Sequence, residues 1–152
     1  MTTLHEYRKS APKLTLYSTK SIDRRTSRRH DLETQDLAVE RWDSRKGCGD
    51  VLGKIVDLSS GGVRIRTTSS GIRPDQQIRV RLELPPYAGI CPFVDQTAKT
   101  PQPKNEWVGW MAVSRVKRLD DRQSEVAGPL MDMDEMDRGM LGLYLSTQPL
   151  AA

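Results

Sequence analysis

Two stretches of this chain alternate aliphatic and charged residues with a period of two. Between residues 78 and 84 every second residue is isoleucine, valine or leucine, and two arginines and a glutamate lie between them. Residues 63–66 repeat the pattern with valine and isoleucine alternating with arginine. This period is that of a β-strand with one buried and one solvated face, which is typical of an antiparallel sheet. We therefore expect a mostly β fold.

Other apolar runs predict the remaining strands, at residues 37–42, 51–56, 107–116 and 125–130. Pro129 in the last run indicates an edge strand, because proline cannot donate to a sheet ladder. Two glycines mark a predicted turn at residues 44–50. Residues 85–106 are rich in proline and are expected to form a long connection without regular structure.

A helix is expected to begin near residue 132, where a run of acidic residues favours a helix N-terminus. Asp132 or Asp134 is the expected N-cap. Apolar residues recur downstream at helical spacing and predict a face packed on the sheet: Met133, Met136, Met140, Leu141, Tyr144 and Leu145. For Gly139 and Gly142 we expect either close packing against the sheet or a frayed helix.

Charge is unevenly distributed along the 152 residues. Residues 1–30 hold eight basic and two acidic residues, a net charge of +6, whereas the remainder has a net charge of −2. We expect a flexible basic arm at residues 1–21, one domain at residues 22–146 and a short tail at residues 147–152. A basic arm favours a polyanionic partner: nucleic acid, an anionic membrane or a phosphorylated ligand.

The sequence predicts a soluble, cytoplasmic protein. The first residues lack an apolar signal region, and no run approaches the length of a membrane span. Cys48 and Cys91 lie in predicted loops without a Cys-x-x-Cys spacing, so we expect no disulfide framework. His5 and His30 are not spaced as ligands of a zinc site. Because no nucleophile–base pair and no phosphate-binding glycine loop is apparent, we expect no enzymatic activity.

Two short motifs follow one another in the chain. The first, Arg-x-x-x-Arg, is met by Arg24 with Arg28 and equally by Arg25 with Arg29. The second, Asp-x-Ser-x-x-Gly, is met by Asp57, Ser59 and Gly62. In this second motif we expect serine and aspartate to bond local backbone groups and glycine to supply a positive φ. Together the motifs resemble the signature of the PilZ domain family, and the resemblance extends from about residue 22 to residue 145.

The resemblance implies a six-stranded antiparallel β-barrel of the split-barrel type, with a C-terminal α-helix. It also implies a bacterial second-messenger receptor that binds cyclic di-GMP and needs no other cofactor. The residues implied to bind the ligand are Arg24, Arg25, Arg28, Asp57, Ser59 and Gly62. Less strongly implied are Arg29, Arg64 and Arg115, for stacking or phosphate contacts. The arginine loop is implied to fold over the ligand, so that the arm closes onto the barrel and signals to a downstream protein.

The residue types fit this ligand. Arginine presents a planar fork that matches phosphate oxygens and the O6/N7 edge of guanine, and its plane stacks on a base. A carboxylate such as that of Asp57 can accept from guanine N1–H and N2–H, which no other common base presents together. Gly62 would permit close approach of the chain to the ligand.

Two alternatives remain. A nucleic-acid-binding barrel would use the basic arm for sequence-independent phosphate contacts. However, it does not account for the second motif, and the net charge of −2 outside the arm opposes it. A PilZ fold that keeps the motifs but acts only through protein contacts is the other alternative.

Overall fold

The computed structural model of the protein describes residues 27–151. The predicted arm at residues 1–21 lies outside this range, as do Arg24 and Arg25. The described residues form ten strands, a short 3₁₀ turn at Glu33–Gln35 and one α-helix. The strands are β1 (His30–Asp31), β2 (Ala38–Asp43), β3 (Cys48–Leu58), β4 (Gly62–Thr67), β5 (Gln77–Glu83), β6 (Phe93–Asp95), β7 (Gln102–Lys104), β8 (Glu106–Ala112), β9 (Arg115–Arg118) and β10 (Ser124–Met131), and the helix is α1 (Glu135–Leu145).

Six of the strands form a closed antiparallel barrel. The order around it is β3, β2, β5, β8, β10 and β4, and β4 pairs with β3 again to close the sheet. Strand β1 adds to β3, and β9 adds to β10. The predicted six-stranded barrel with a C-terminal helix is thereby confirmed. Each neighbouring pair is antiparallel, so every barrel strand can present alternate residues to one interior.

The aliphatic residues of the alternating stretches fill the barrel. In β5, Ile78, Val80 and Leu82 are buried, whereas Arg79 and Arg81 between them are only partly buried. The same core takes in the only phenylalanine, Phe93, and Tyr144 of α1. Since aromatic residues are only 5% of the chain, aliphatic side chains supply most of this interior.

Helix α1 closes the core through one face. Its N-cap is Asp134, whose side chain accepts a hydrogen bond from the Asp137 backbone N–H. Of the predicted face, Met133, Leu141, Tyr144 and Leu145 are buried, but Met136 is 53% exposed. The segment is helical throughout, so it is not frayed. A Cβ at Gly139 or Gly142 would have no neighbour within 4 Å, so the expected close packing at these glycines is wrong as well.

Two predicted connections contain regular structure. Strand β3 begins at Cys48, inside the predicted turn at residues 44–50, because Gly47 at φ +64° completes the reversal within residues 44–47. In residues 85–106, β6 and β7 form a separate two-stranded hairpin. Phe93 and Val94 of this hairpin are buried, and Val94 N–H donates to the Asp137 carboxylate of α1 at 2.8 Å. The insertion is therefore packed against the helix.

Two strand predictions also need correction. The single strand predicted at residues 107–116 is divided between β8 and β9, and β9 continues to Arg118. Strand β10 is not an edge strand, because it pairs with β4 on one side and with both β8 and β9 on the other. Pro129 lies between the residues that pair with β9 and those that pair with β8. Proline is tolerated there because that side of the ladder changes partner at this point.

No helix within residues 27–151 has both the length and the apolar composition needed to cross a membrane. The predicted domain boundaries and the cytoplasmic location remain predictions.

Candidate functional site

The turn between β3 and β4 is built around Ser59. Its backbone N–H donates to the Gly62 carbonyl at 2.9 Å, and its Oγ accepts from the backbone N–H groups of Gly61 and Gly62 at 3.3 and 3.1 Å. Only 6% of Ser59 is exposed. The serine of the motif therefore shapes the turn, as a local side-chain acceptor does in many tight turns.

Gly62 is required by packing and not by its dihedral angles. The glycines with positive φ in the described chain are Gly47, Gly71 and Gly89, so the expected positive φ in the motif is wrong. A Cβ on Gly62 would lie 2.9 Å from the carbonyl oxygen of Gly128 on β10. The missing side chain lets β10 approach the turn closely.

Asp57 lies beside the turn and binds two arginines. Arg64 Nη2 is 2.6 Å from its Oδ2, and Arg29 Nη1 is 3.3 Å from its Oδ1. The Asp57 side chain is 3% exposed, against 28% for Arg64 and 24% for Arg29. A carboxylate this deeply buried needs such charge-assisted partners. The two arginines thus neutralise the carboxylate and also shield it from solvent.

Further charges surround Arg64. Its Nη1 donates to Glu125 Oε1 at 3.2 Å, and Arg66 Nη2 lies 3.7 Å from Glu125 Oε2. Arg66 Nη1 in turn donates to Glu33 Oε1, so the three arginines of this cluster meet three carboxylates and their charges balance. Two buried donors, Arg64 Nε and Arg66 Nε, have no hydrogen-bond partner among the described residues. Unused buried donors favour a ligand that can accept hydrogen bonds.

The two described arginines of the first motif differ in environment. Arg28 is exposed, whereas Arg29 contacts Asp57. The described geometry therefore brings the second motif together with Arg29, which was the weaker candidate. Arg115 was also a weaker candidate and lies on β9. Strand β10 separates it from Arg64, and both arginines are register partners of Ala127 on β10. Arg115 is exposed at the border of the same surface.

A shallow cavity of about 250 Å³ opens over the turn. It is lined by Ser27, Arg29, Ser59, Gly61, Gly62, Ser114, Gly128 and Pro129. Larger cavities lie elsewhere in the described chain, with volumes of about 530 and 480 Å³. The smaller cavity is lined by residues of both motifs, Arg29 of the first and Ser59 and Gly62 of the second.

Arg138 on α1 is a site-adjacent residue that the motifs do not include. Its Nη1 donates to the Ser60 carbonyl at 2.9 Å, so this hydrogen bond links the helix directly to the turn. On the same turn, Ser60 Oγ and Ser27 Oγ are 2.9 Å apart. One feature of the sequence could have indicated Arg138. A cation near a helix N-terminus is repelled by the helix dipole, so an arginine at this position is expected to have another partner.

Within residues 27–151, no group of three or more histidine, cysteine, aspartate or glutamate side chains is arranged to hold a metal ion.

The chain matches no family model, and no curated protein matches it. Solved structures do match. The Bacillus subtilis inhibitor of motility MotI/DgrA aligns with a TM-score of 0.58 and 14% identity, over 82% of this chain and 50% of that one. The PilZ domain of YcgR from Escherichia coli, solved with cyclic di-GMP, aligns with a TM-score of 0.54 and 9% identity, over 82% of this chain and 91% of that one. The chain thus spans half the length of MotI/DgrA. It has a PilZ-like fold.

Proposed function

We propose that this protein is a receptor for cyclic di-GMP that passes ligand binding on to a protein partner. The observation that carries the proposal is the meeting of Arg29 and the Ser59–Gly62 turn at one surface cavity of a PilZ-like barrel, where Arg29 also binds the buried Asp57. The solved YcgR domain with cyclic di-GMP supports the choice of ligand.

Ligand binding would begin with an exchange at Asp57. The Arg29 contact at 3.3 Å is the longer of its two ion pairs, and Arg29 belongs to the chain segment that leads into the barrel. If Arg29 moves to a ligand phosphate, Asp57 Oδ1 becomes available to guanine N1–H and N2–H. Arg64 would stay on Oδ2 and keep the carboxylate oriented. Each step exchanges one charge-assisted hydrogen bond for another, so the buried carboxylate keeps its partners throughout.

Arginines of the first motif would supply the remaining contacts. Arg28 is exposed and adjacent to Arg29, and Arg24 and Arg25 precede them in sequence. Their forks suit the two phosphates and the O6/N7 edges of the guanines. Closing this segment over the ligand would move residues 1–21 relative to the barrel and so create or remove a surface for the downstream protein.

A second candidate function is a protein-interaction module without ligand. It is favoured by one observation: both oxygens of Asp57 are already bound by arginines. In that case the motif residues only stabilise the turn.

Calorimetric titration of the full chain with cyclic di-GMP tests the proposal, with GTP, GMP and cyclic di-AMP as matched controls. We expect saturable binding of cyclic di-GMP and much weaker binding of the controls. Absence of binding by a folded protein would leave the ligand-free module, and binding of duplex DNA instead would favour the nucleic-acid alternative.

Amide exchange with and without ligand tests the relay. We expect residues 20–30 to gain protection when cyclic di-GMP binds, because ordering them requires contacts to both motifs. Equal protection in both states, with binding shown by calorimetry, would leave a static binding site.

A further inference from the structure

Helix α1 carries an apolar face on the side away from the core. Met136 and Leu143 are each 53% exposed, and Met140 between them is half-buried. These three residues are spaced i, i+4 and i+7, so they lie along one face of the helix. Single apolar side chains scattered over a protein surface are normal. Here two large ones are exposed on the same face of one short helix, so they form a patch.

The first described residue lies next to this helix. A Cβ on Gly61 would lie 3.6 Å from Ser27 Oγ and 3.9 Å from Arg138 Nη1, so Ser27 and the end of the Arg138 side chain both lie at the β3–β4 turn. The described chain therefore begins at the turn that Arg138 of α1 contacts. Ten residues separate Tyr17 from Ser27, which gives a reach of up to about 33 Å. Helix α1 has 11 residues, so it is about 16 Å long and about 10–12 Å across with its side chains. An extended segment of this reach can pass around the helix from the side of Arg138 to the outer face.

The segment of residues 1–26 includes a short apolar stretch of suitable size. Leu14, Leu16 and Tyr17 lie within four residues, with Lys13 immediately before them. Residues 1–26 hold six basic and two acidic residues, a net charge of +4. The helix offers the opposite charge at its start, where Asp134 and Glu135 are exposed, and its last turn carries no basic residue.

We propose that the outer face of α1, formed by Met136, Met140 and Leu143, is the docking surface for residues 14–17 of the same chain. The tether holds these residues close to the helix, so even a modest apolar contact is favoured by a high effective concentration. The lysine before the segment would lie towards the acidic start of α1. This inference goes beyond the proposed function, because it names where residues 14–17 dock before any ligand binds, and it does not depend on the identity of the ligand.

Disulfide trapping in the full chain tests the docking. Cys48 and Cys91 are free thiols and are first replaced by serine. Leu16→Cys and Leu143→Cys are then combined, and the rate of intramolecular disulfide formation is measured without nucleotide. The matched control adds Leu14→Ser and Tyr17→Ser to the same pair, which leaves the tether and both thiols unchanged.

We expect the pair to cross-link about tenfold faster than its control, the ratio given by ~1.4 kcal/mol of docking free energy. Equal rates would mean that the tether alone brings the thiols together, and the proposal would be wrong. Disulfides between two chains whose yield rises with protein concentration would instead assign the face to a second copy. Since no nucleotide is present, these results are separate from the calorimetric test of ligand binding.

Discussion

Among single residues, Asp57 has the most demanding environment of the candidate site. It is nearly fully buried, carries a carboxylate and depends on Arg64 across the hairpin and on Arg29, 28 residues away in the sequence. As a receptor for cyclic di-GMP, the protein would also use Asp57 to recognise guanine. These two tasks can be separated experimentally, because stability and ligand discrimination are different measurements.

We predict that Asp57→Asn lowers both stability and discrimination. Loss of the charge leaves Arg29 and Arg64 with a neutral partner, which should reduce the free energy of unfolding in urea by about 1–3 kcal/mol. The amide also presents donors to guanine N2–H, so cyclic di-GMP should be less strongly preferred over cyclic di-AMP. Asp50→Asn, an exposed aspartate on the same strand, is the control. Full discrimination in Asp57→Asn would restrict Asp57 to holding the arginines.

For Arg28→Ala we predict weaker binding without loss of stability. Arg28 is exposed, so its side chain adds little packing. Loss of one charged hydrogen bond of about 1.5–3 kcal/mol weakens cyclic di-GMP binding roughly ten- to hundredfold. Arg45→Ala, in the exposed turn between β2 and β3, should bind normally. If a folded Arg28→Ala protein keeps the affinity of the parent, Arg28 does not contact the ligand.

At the scale of elements, the β3–β4 turn is held on two sides. Strand β10 packs against Gly62 from one side, and Arg138 of α1 donates to Ser60 from the other. The neighbouring residue on the helix, Asp137, accepts from Val94 of the β6–β7 hairpin. Helix α1 therefore contacts both the candidate site and the insertion, and it is the element through which the two are connected.

We predict that Gly62→Ala destabilises the barrel, whereas Gly61→Ala does not. A Cβ at residue 62 would lie 2.9 Å from a backbone oxygen of β10, so the strands must separate slightly, at a cost of about 1–3 kcal/mol. At residue 61 the nearest atom would be 3.6 Å away, an ordinary contact. Urea unfolding of both variants measures the difference. Equal stabilities would show that the turn accommodates a side chain at either glycine.

For the whole molecule, the buried carboxylate of Asp137 makes stability depend on pH. Burial raises its pKa above the ordinary value of 3.8, although the Val94 N–H partly opposes this shift. The folded state therefore holds the proton more tightly than the unfolded state does. Its contribution to stability is fully present below pH 3.8 and is lost as the pH rises through the raised folded pKa.

Asp137→Asn removes this titration while keeping an oxygen that can accept from Val94. We predict that the variant gains stability relative to the parent protein as the pH is raised from about 3 to about 7. Urea unfolding at several pH values gives the difference. The exposed Asp121→Asn is the control and should parallel the parent protein. A constant difference between Asp137→Asn and the parent would contradict a raised pKa.

The barrel strands and the motif turn were determined by the sequence itself, because their signals are local. Alternation in residues 77–84 and 63–66 is the direct consequence of one buried face, and it identified β5 and β4 closely. Asp-x-Ser-x-x-Gly likewise marked the turn, although Gly62 serves packing on β10 and not a positive φ.

Only the tertiary structure decided which distant residues meet. Asp57 and Arg64 face each other across the β3–β4 hairpin, but Arg29 precedes β1 and Glu125 lies on β10, and no local pattern relates these two to the hairpin. The hairpin in residues 85–106 was missed because its strands are three residues each and are stabilised by packing on α1 rather than by their own propensity. Barrel closure likewise placed Pro129 inside the sheet, since a closed sheet supplies partners to both sides of β10.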